Sequence, residues 1–512
     1  MGCTTNRKAA MDRRQFLRSA SRWGGAALLL ARAGSSTAAE RGAVEGVVRG
    51  ADRPLAGVLV SDGRQVTRTD EQGHYRIVVD PATSGPFLFI TTPRGFWTDR
   101  FYIPLETALE AGRADFTLRP VTQPDRFHFV FLTDVHLEKR GVSIRKFQAT
   151  LAEINHLQPK PAFLWVQGDI CLQGGVGPEY LGCLQLAEMP VRNGAGNHEM
   201  MLEHADPRDD FYRLFGPTYY SFDWGPIHAV VLDGNKPIPR QKGWKAVHGA
   251  VEGRELEWLQ ADLAAQPPGK PIVVGVHIPI VSTYPERRQH SPKDAPYWEM
   301  TNARQLTQLL ARHKVRLVLQ GHMHENERAT VGGVEYVCSI SVSGSWWKSG
   351  EGFERGVDGS PRGYRIVSVE GTHLAHHYRS SCESRVDGPG EFTGLDTPLE
   401  PRAETEFVFN CYDAPNGSLA QARIDQGPWL PMPAFQPFSH TTPDLKMPHH
   451  FRVVADARTL TPGPHQIEVR LRWPDGTPVR HLRRFVVAQR RPESAGSRTG
   501  SRPVWSAAYP HP

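Results

Sequence analysis

The chain has 512 residues, too many for one compact domain, so two or three are expected. Its 39% hydrophobic and 22% charged residues are enough to build cores and exclude a wholly disordered chain. The formal charge of +6 lies entirely in residues 1–39, where Arg7, Lys8, Arg13, Arg14, Arg18, Arg22 and Arg32 stand against Asp12 alone. The neutral remainder argues against a general binder of nucleic acid or anionic membrane.

Residues 1–39 read as an export signal. Arg13-Arg14-Gln15-Phe16-Leu17-Arg18 resembles a twin-arginine motif, an apolar stretch around 26–30 follows, and small residues at Ser36, Thr37, Ala38 and Ala39 offer a cleavage site. The expectation is a twin-arginine-type signal peptide handled by the Tat export machinery, and a periplasmic or secreted bacterial protein. Met11 is an alternative start to Met1. The apolar stretch is too short to cross a bilayer, so an integral membrane protein is not expected. Cleavage leaves Cys171, Cys183, Cys338, Cys382 and Cys411, an odd set without CxxC spacing, which favours packing thiols over a disulfide framework.

Residues 40–120 show short alternating strands at 44–48, 58–60, 75–79 and 87–90, separated by Asp-Arg-Pro, Asp-Gly and Ser-Gly-Pro turns, a small β-sandwich. Residues 125–375 alternate strands with helices. Strands are predicted at 127–132, 163–167, 228–232, 272–276 and 317–320. Helical spacing recurs in Ile144, Phe147, Leu151 and Ile154, in Leu256, Leu259 and Leu263, and in Leu306, Leu309 and Leu310. Residues 400–488 return to β character, with strands at 407–409, 451–454 and 467–471. The Gly/Ser/Arg/Pro-rich stretch 489–512 reads as a disordered tail.

Within 125–375, five apolar segments run directly into polar groups. They lead to Asp134-Val135-His136, Gly168-Asp169, Gly196-Asn197-His198-Glu199, His277 and Gly321-His322-Met323-His324. Ligands of open α/β sheets gather at the carboxyl ends of strands, so groups far apart in sequence can converge. Imidazole and carboxylate ligands suit Mn, Fe, Zn or Ni, and the set does not choose among them. A carboxylate such as Asp169 can give one oxygen to each of two metals about 3.5–4 Å apart. In an extended segment Asp134 and His136 share a face, as do His322 and His324.

The order Asp-x-His, Gly-Asp, Gly-Asn-His-Glu, His, Gly-His-x-His resembles the calcineurin-like metallophosphoesterase superfamily. Phe215-Gly216-Pro217-Thr218-Tyr219-Tyr220-Ser221-Phe222-Asp223, Val230-Val231-Leu232-Asp233, Ser345-Trp346-Trp347 and Asp358-Gly359-Ser360-Pro361-Arg362-Gly363-Tyr364 extend the likeness to bacterial members. Gly57-Val58, Ser61-Asp62-Gly63 and Thr69-Asp70-Glu71-Gln72-Gly73-His74-Tyr75 resemble the N-terminal regulatory-like domain of such proteins. The resemblance implies a four-layer α/β/β/α sandwich flanked by two small β-sandwich-like domains. It also implies one metal on Asp134, His136, Asp169 and His324, a second on Asp169, Asn197, His277 and His322, and His198 beside the scissile phosphate as charge stabiliser or acid. The implied reaction is hydrolysis of a small-molecule phosphate ester (diester, monoester or pyrophosphate, with diester slightly favoured) by a metal-bridging water. The alternative is a non-catalytic envelope binding protein with a vestigial site.

Several residues keep two readings. Glu199 is either an outer partner that orients a histidine or a surface carboxylate. Trp346 and Trp347 either stack on substrate or plug a domain junction, and Arg362 shares that ambiguity. Cys171 reads as packing rather than a ligand. The segment after Asp169 has Leu172 where purple acid phosphatases place a tyrosine, which argues against an Fe(III)–tyrosinate centre. His376-His377 and His449-His450 read as surface or edge positions, not a third metal site. Loop 281–298 is expected to shape the pocket without a readable code.

Overall fold

A computed structural model describes residues 42–139, 141–238, 246–348, 354–382 and 388–489. The expected signal peptide and almost all of the expected tail lie outside the described residues.

The core of the molecule begins with strand β1 (Arg126–Thr133), in which every residue after Arg126 is buried. A strand covered on both faces needs a continuous apolar run, and Phe-His-Phe-Val-Phe-Leu supplies it almost without a break. Strands β2 (Leu164–Gln167) and β3 (Val191–Gly194) add to it in parallel on one side. A second sheet contains β4 (Tyr220–Trp224), β5 (Ile227–Val231), β6 (Ile272–Val276), β7 (Leu317–Gln320), β8 (Glu327–Val331) and β9 (Val334–Cys338), in the order β4-β5-β6-β7-β9-β8. The hairpin β10 (Gly363–Glu370) and β11 (His373–Ser380) completes the first sheet as β3-β2-β1-β10-β11.

The two sheets meet through large aromatic side chains. Phe163 packs edge-on to Phe222 at 5.4 Å, and Trp165 to the same ring at 5.9 Å. Gly275 on β6 permits this approach, because a Cβ there would lie 2.3 Å from the Trp165 ring. Helices close the outside. Ser143–Asn155 buries Phe147, Leu151 and Ile154, and Ala303–Arg312 buries Leu306, Leu309 and Leu310, the stripes expected from their spacing. The result is the four-layer α/β/β/α arrangement.

Residues 42–120 form two small sheets, one built on Gly42–Gly50 and one on Leu59–Ser61 and Phe87–Ile90. They join the core through Arg192 of β3. Its buried guanidinium lies 3.7 Å from the Trp97 ring centre and 4.6 Å from that of Phe101, and donates to the Thr98 carbonyl at 3.1 Å. Burial pulls this guanidinium down to about 10, still charged at neutral pH. Residues beyond 388 form two four-stranded sheets around Phe407, Phe409, Ile467, Val469 and Phe485. Polar ties hold them to the core: Arg365 donates to Asp413 at 3.0 Å, and His449 bridges Asp358 at 2.9 Å and Asn410 at 2.8 Å.

Two expectations are corrected here. His376 and His377 do lie on the edge strand β11, but the side chains of His376, His449 and His450 are buried rather than at a surface. His376 meets Glu335 at 3.1 Å and Arg365 at 2.9 Å, so these histidines work as structural polar links. His377 alone of the four is exposed.

Candidate metal centre

Parallel pairing brings the ligand-bearing ends to one rim. Register places Thr133 beside Gln167 and Gln167 beside Gly194 in the first sheet, and Val276 beside Gln320 in the second. Asp134, Asp169, Asn197, His277 and His322 each follow within three residues of those positions. This is the carboxyl edge, where ligands of α/β sheets collect.

The chain turns sharply as it leaves the strands. Asp134, His136, Asp169, His322 and His324 all have left-handed backbones, with φ between 44° and 72°. Each costs on the order of 1–3 kcal/mol and persists only where the surroundings fix it. The fixing bonds are visible. His136 N–H donates to the Asp169 carbonyl at 2.8 Å, and Asp134 accepts from His322 N–H at 2.9 Å and from the Thr133 hydroxyl at 2.8 Å. Two glycines leave room: a Cβ on Gly321 would sit 2.0 Å from Thr133 Oγ1, and one on Gly196 would sit 2.3 Å from Asp169 Oδ1.

Glu199 is the clamp of this rim. It is fully buried, and its two oxygens accept backbone N–H bonds from Asp169 and Gly196 at 2.7 Å each and from Cys171 at 2.9 Å. It therefore orients the backbone of two ligand loops, not a histidine and not solvent. Burial and the neighbouring Asp169 charge raise its carboxyl, and the backbone N–H groups oppose that.

The donor atoms converge in two Asp/His triads, Asp134/His136/His324 and Asp169/His277/His322, and in a third group, His136/Cys171/His198, each with ligand atoms within 4.8 Å of one another. His136 Nε2 and His324 Nε2 are 3.0 Å apart, His324 Nε2 is 3.2 Å from Asp134 Oδ1, and His277 Nε2 is 3.1 Å from Asp169 Oδ2. The same Asp169 oxygen is 3.5 Å from His136 Nε2, so it borders both triads. Backbone carbonyls choose which ring nitrogen faces inward. Gln167 accepts from His277 Nδ1 at 3.1 Å and Gly344 from His324 Nδ1 at 2.6 Å, which leaves both Nε2 atoms as lone pairs. His322 is reversed, with Nε2 on the Tyr297 carbonyl at 2.9 Å and Nδ1 left for the cluster.

Acceptors this close, such as His324 Nε2 facing Asp134 Oδ1 at 3.2 Å, are stabilised by a positive charge between them, a proton or a metal ion. The buried Asn197 Oδ1 and His277 Nε2 also lack any hydrogen-bond partner, so the nitrogen and oxygen donors fit divalent metal. The electrostatics agree. Burial alone would raise Asp169, but His277 and His198 outweigh it and hold the carboxyl well below its usual range. Burial pulls His136 down to about 4 and His322 likewise, keeping them neutral. His277 is the exception: Asp169 and Asp134 overcome its burial and raise it to about 9, so without metal its Nε2 keeps a proton that a metal ion would displace.

His198 stands outside the two Asp/His triads. Its backbone N–H is held by Asp169 Oδ1 at 3.0 Å, its Nε2 lies 4.0 Å from Asp169 Oδ2, and its side chain is 32% exposed. The tryptophan pair divides. Trp347 is buried and donates to the Val135 carbonyl at 3.1 Å, whereas Trp346 is 42% exposed and stacks on His324 with ring centres 4.2 Å apart. Arg362 is fully buried, donating to Thr150 and Ser381 at 2.9 Å each, and is no substrate contact. Cys171 is half-buried beside His136 and His198, within 4.8 Å of their ligand atoms, and burial pushes its thiol up to about 12. Sequence reasoning named loop 281–298 without singling out Trp298, whose ring centre lies 5.5 Å from that of His322, and it missed the carbonyls of Gln167, Tyr297 and Gly344. Carbonyls leave no residue-type signal.

Comparison with known proteins gives three consecutive matches. Residues 42–121 match the N terminal of calcineurin-like phosphoesterase, 127–326 calcineurin-like phosphoesterase itself, and 335–472 its C terminal. The chain is 25% identical over 265 residues to the serine/threonine-protein phosphatase CPPED1 of Mus musculus, covering 49% of this chain and 78% of that protein. It is 25% identical over 307 residues to a probable cyclic nucleotide phosphodiesterase of Rhodococcus erythropolis, covering 56% and 91%. A 3',5'-cyclic-nucleotide phosphodiesterase of Nostoc sp. is 25% identical over 227 residues, covering 41% and 76%. With the strand ends that carry these candidate ligands inside the central match, the chain belongs to the calcineurin-like phosphoesterases and is a metallophosphoesterase.

Proposed function

We propose that the protein is an exported phosphodiesterase that works with two metal ions. The observation that carries this reading is the pair of triads bordered by one shared Asp169 oxygen. Asp134, His136, Asp169 and His324 would hold one ion, and Asp169, Asn197, His277 and His322 the other, with Mn, Fe, Zn and Ni all compatible with these donors. When bound, such ions offset the charge of phosphoryl oxygens and supply an activated water for in-line attack.

The remaining work falls to side chains. Among the described residues, His198 is the imidazole beside Asp169 that the two Asp/His triads leave out, and its side chain is 32% exposed. Its backbone is pinned by the Asp169 oxygen, so its ring can deliver a proton to the departing oxygen. Trp346 presents a partly exposed aromatic ring beside the candidate ligands, suited to stack against a planar substituent of a diester. The two relatives named as cyclic nucleotide phosphodiesterases support the diester preference. Export rests on the leader sequence, with its paired Arg13-Arg14. No described helix is long and apolar enough to cross a membrane.

The test is the ratio of rates on bis-p-nitrophenyl phosphate and p-nitrophenyl phosphate at fixed metal. A clear excess for the diester is expected. Faster monoester hydrolysis would reverse the substrate class.

A further inference from the structure

One sheet of the C-terminal region has an outward face of unusual make-up. Strands Leu419–Ile424, Gly463–Arg472 and Pro478–Val487 pair antiparallel, with Gly463–Arg472 in the middle and Pro478–Val487 at the edge. Alternation sends Ile467, Val469, Leu471 and Phe485 into the core. The opposite face carries Arg423, Arg470, Arg472, Arg480 and Arg484 against one acid, Glu468, which Arg423 already neutralises at 2.7 Å. Arg472, Arg480 and Arg484 are exposed. The neutral charge of residues 40–512 therefore conceals a strongly one-sided surface.

Aliphatic side chains are interleaved with those arginines. Register sets Leu419 beside Arg472, Leu482 beside Glu468 and Val486 beside Pro464, and these three are 72%, 47% and 46% exposed. At the margin Trp429 lies under Arg423 and Arg470, at 4.7 and 4.1 Å. The sequence after the edge strand adds Arg490, Arg491, Arg498 and Arg502 against Glu493 alone.

Cations alone would suit any polyanion, but a soluble acidic polymer would leave the aliphatic groups in water. A bilayer surface satisfies both, taking guanidinium groups at lipid phosphates and short apolar side chains at the headgroup boundary. We propose that this face docks on an anionic phospholipid surface. Arg472, Arg480 and Arg484 meet the phosphates there, and Leu419, Leu482 and Val486 enter the boundary. The enzyme is then peripheral to the membrane, held by a sheet face remote in sequence from its catalytic ligands.

The experiment is cosedimentation of the leader-cleaved protein with vesicles of phosphatidylglycerol and phosphatidylcholine, and with vesicles of phosphatidylcholine alone. Binding to the anionic vesicles that weakens with salt is expected. Arg480→Ser combined with Arg484→Ser weakens it about 30-fold, at about fivefold per arginine. Hydrolysis of soluble bis-p-nitrophenyl phosphate and the melting temperature stay unchanged in that variant. Leu482→Ser lowers binding without altering its salt dependence. The proposal is overturned by no binding to anionic vesicles, by equal binding to neutral ones, or by full binding of the double variant. Tighter binding to soluble heparin than to vesicles also overturns it, and transfers the face to an acidic polysaccharide.

Discussion

Replacing Glu199 by glutamine tests whether the rim depends on one buried carboxylate. Its two oxygens accept from four backbone N–H groups, three at 2.7, 2.7 and 2.9 Å and the Leu172 N–H at 3.5 Å. Bonds to a charged acceptor contribute about 1.5–3 kcal/mol each, and a buried N–H left without one costs about 1–3 kcal/mol. The amide oxygen of glutamine can keep the Asp169 and Gly196 bonds. Its NH2 group then faces the Cys171 N–H, donor against donor. The expected loss is about 2–4 kcal/mol in the metal-free protein, together with a shift of Asp169. Displacing a group that orients a ligand typically weakens metal binding about 10- to 100-fold. Calorimetric titration of the chelated protein with Mn2+ and a thermal melt of the same sample read the two effects. Wild-type affinity together with a wild-type melting temperature would refute the clamp.

Other perturbations separate the roles of neighbouring residues. His198→Ala should lower kcat by about 10²–10⁴-fold with metal content intact, and loss of metal instead would make it a ligand. Trp346→Ala should lower kcat/KM for aryl diesters by about tenfold and spare alkyl diesters, whereas an equal fall for both would indicate a disturbed His324. Gly321→Ala forces a Cβ to 2.0 Å from Thr133 Oγ1; it should abolish metal binding and lower stability by about 1–3 kcal/mol, and normal binding would contradict the packing argument. His228, buried between Asp223 at 2.8 Å and Asp262 at 2.7 Å, is raised to about 9 because these carboxylates overcome its burial. A raised folded-state value means its contribution, about 3 kcal/mol, is complete below the ordinary 6.5 and lost as pH rises through about 9. The melting temperature of the wild type should therefore fall across that window more steeply than that of His228→Gln, and parallel slopes would refute it.

The elements that sequence revealed best are those where one physical rule dominates. The apolar run of β1 and the stripe Phe147, Leu151, Ile154 admit a single placement, and both appear where spacing put them. The ligand set was legible because strand ends concentrate polar residues after apolar runs. What that spacing could not carry is the local backbone: five of these residues sit in left-handed conformations that favour glycine. Nor could it show which nitrogen each histidine turns inward, since the Gln167, Gly344 and Tyr297 carbonyls decide it. Glu199 and Arg362 show a second limit. Charged residues are usually exposed, yet both are fully buried, Glu199 against backbone N–H groups and Arg362 against the Thr150 and Ser381 hydroxyls. The tryptophan pair shows a third, since consecutive left-handed residues at φ 54° and 60° send Trp346 to the rim and Trp347 into the core.

The most direct measurement of the central claim combines metal content with turnover in one sample. The leader-cleaved protein is stripped with chelator and reconstituted separately with Mn, Fe, Zn or Ni. Bound metal is then measured alongside hydrolysis of bis-p-nitrophenyl phosphate. Two ions per chain are expected, with no activity after stripping and activity that returns only as the second ion is bound. Full hydrolysis by the stripped protein, or none in protein holding both ions, would contradict this expectation.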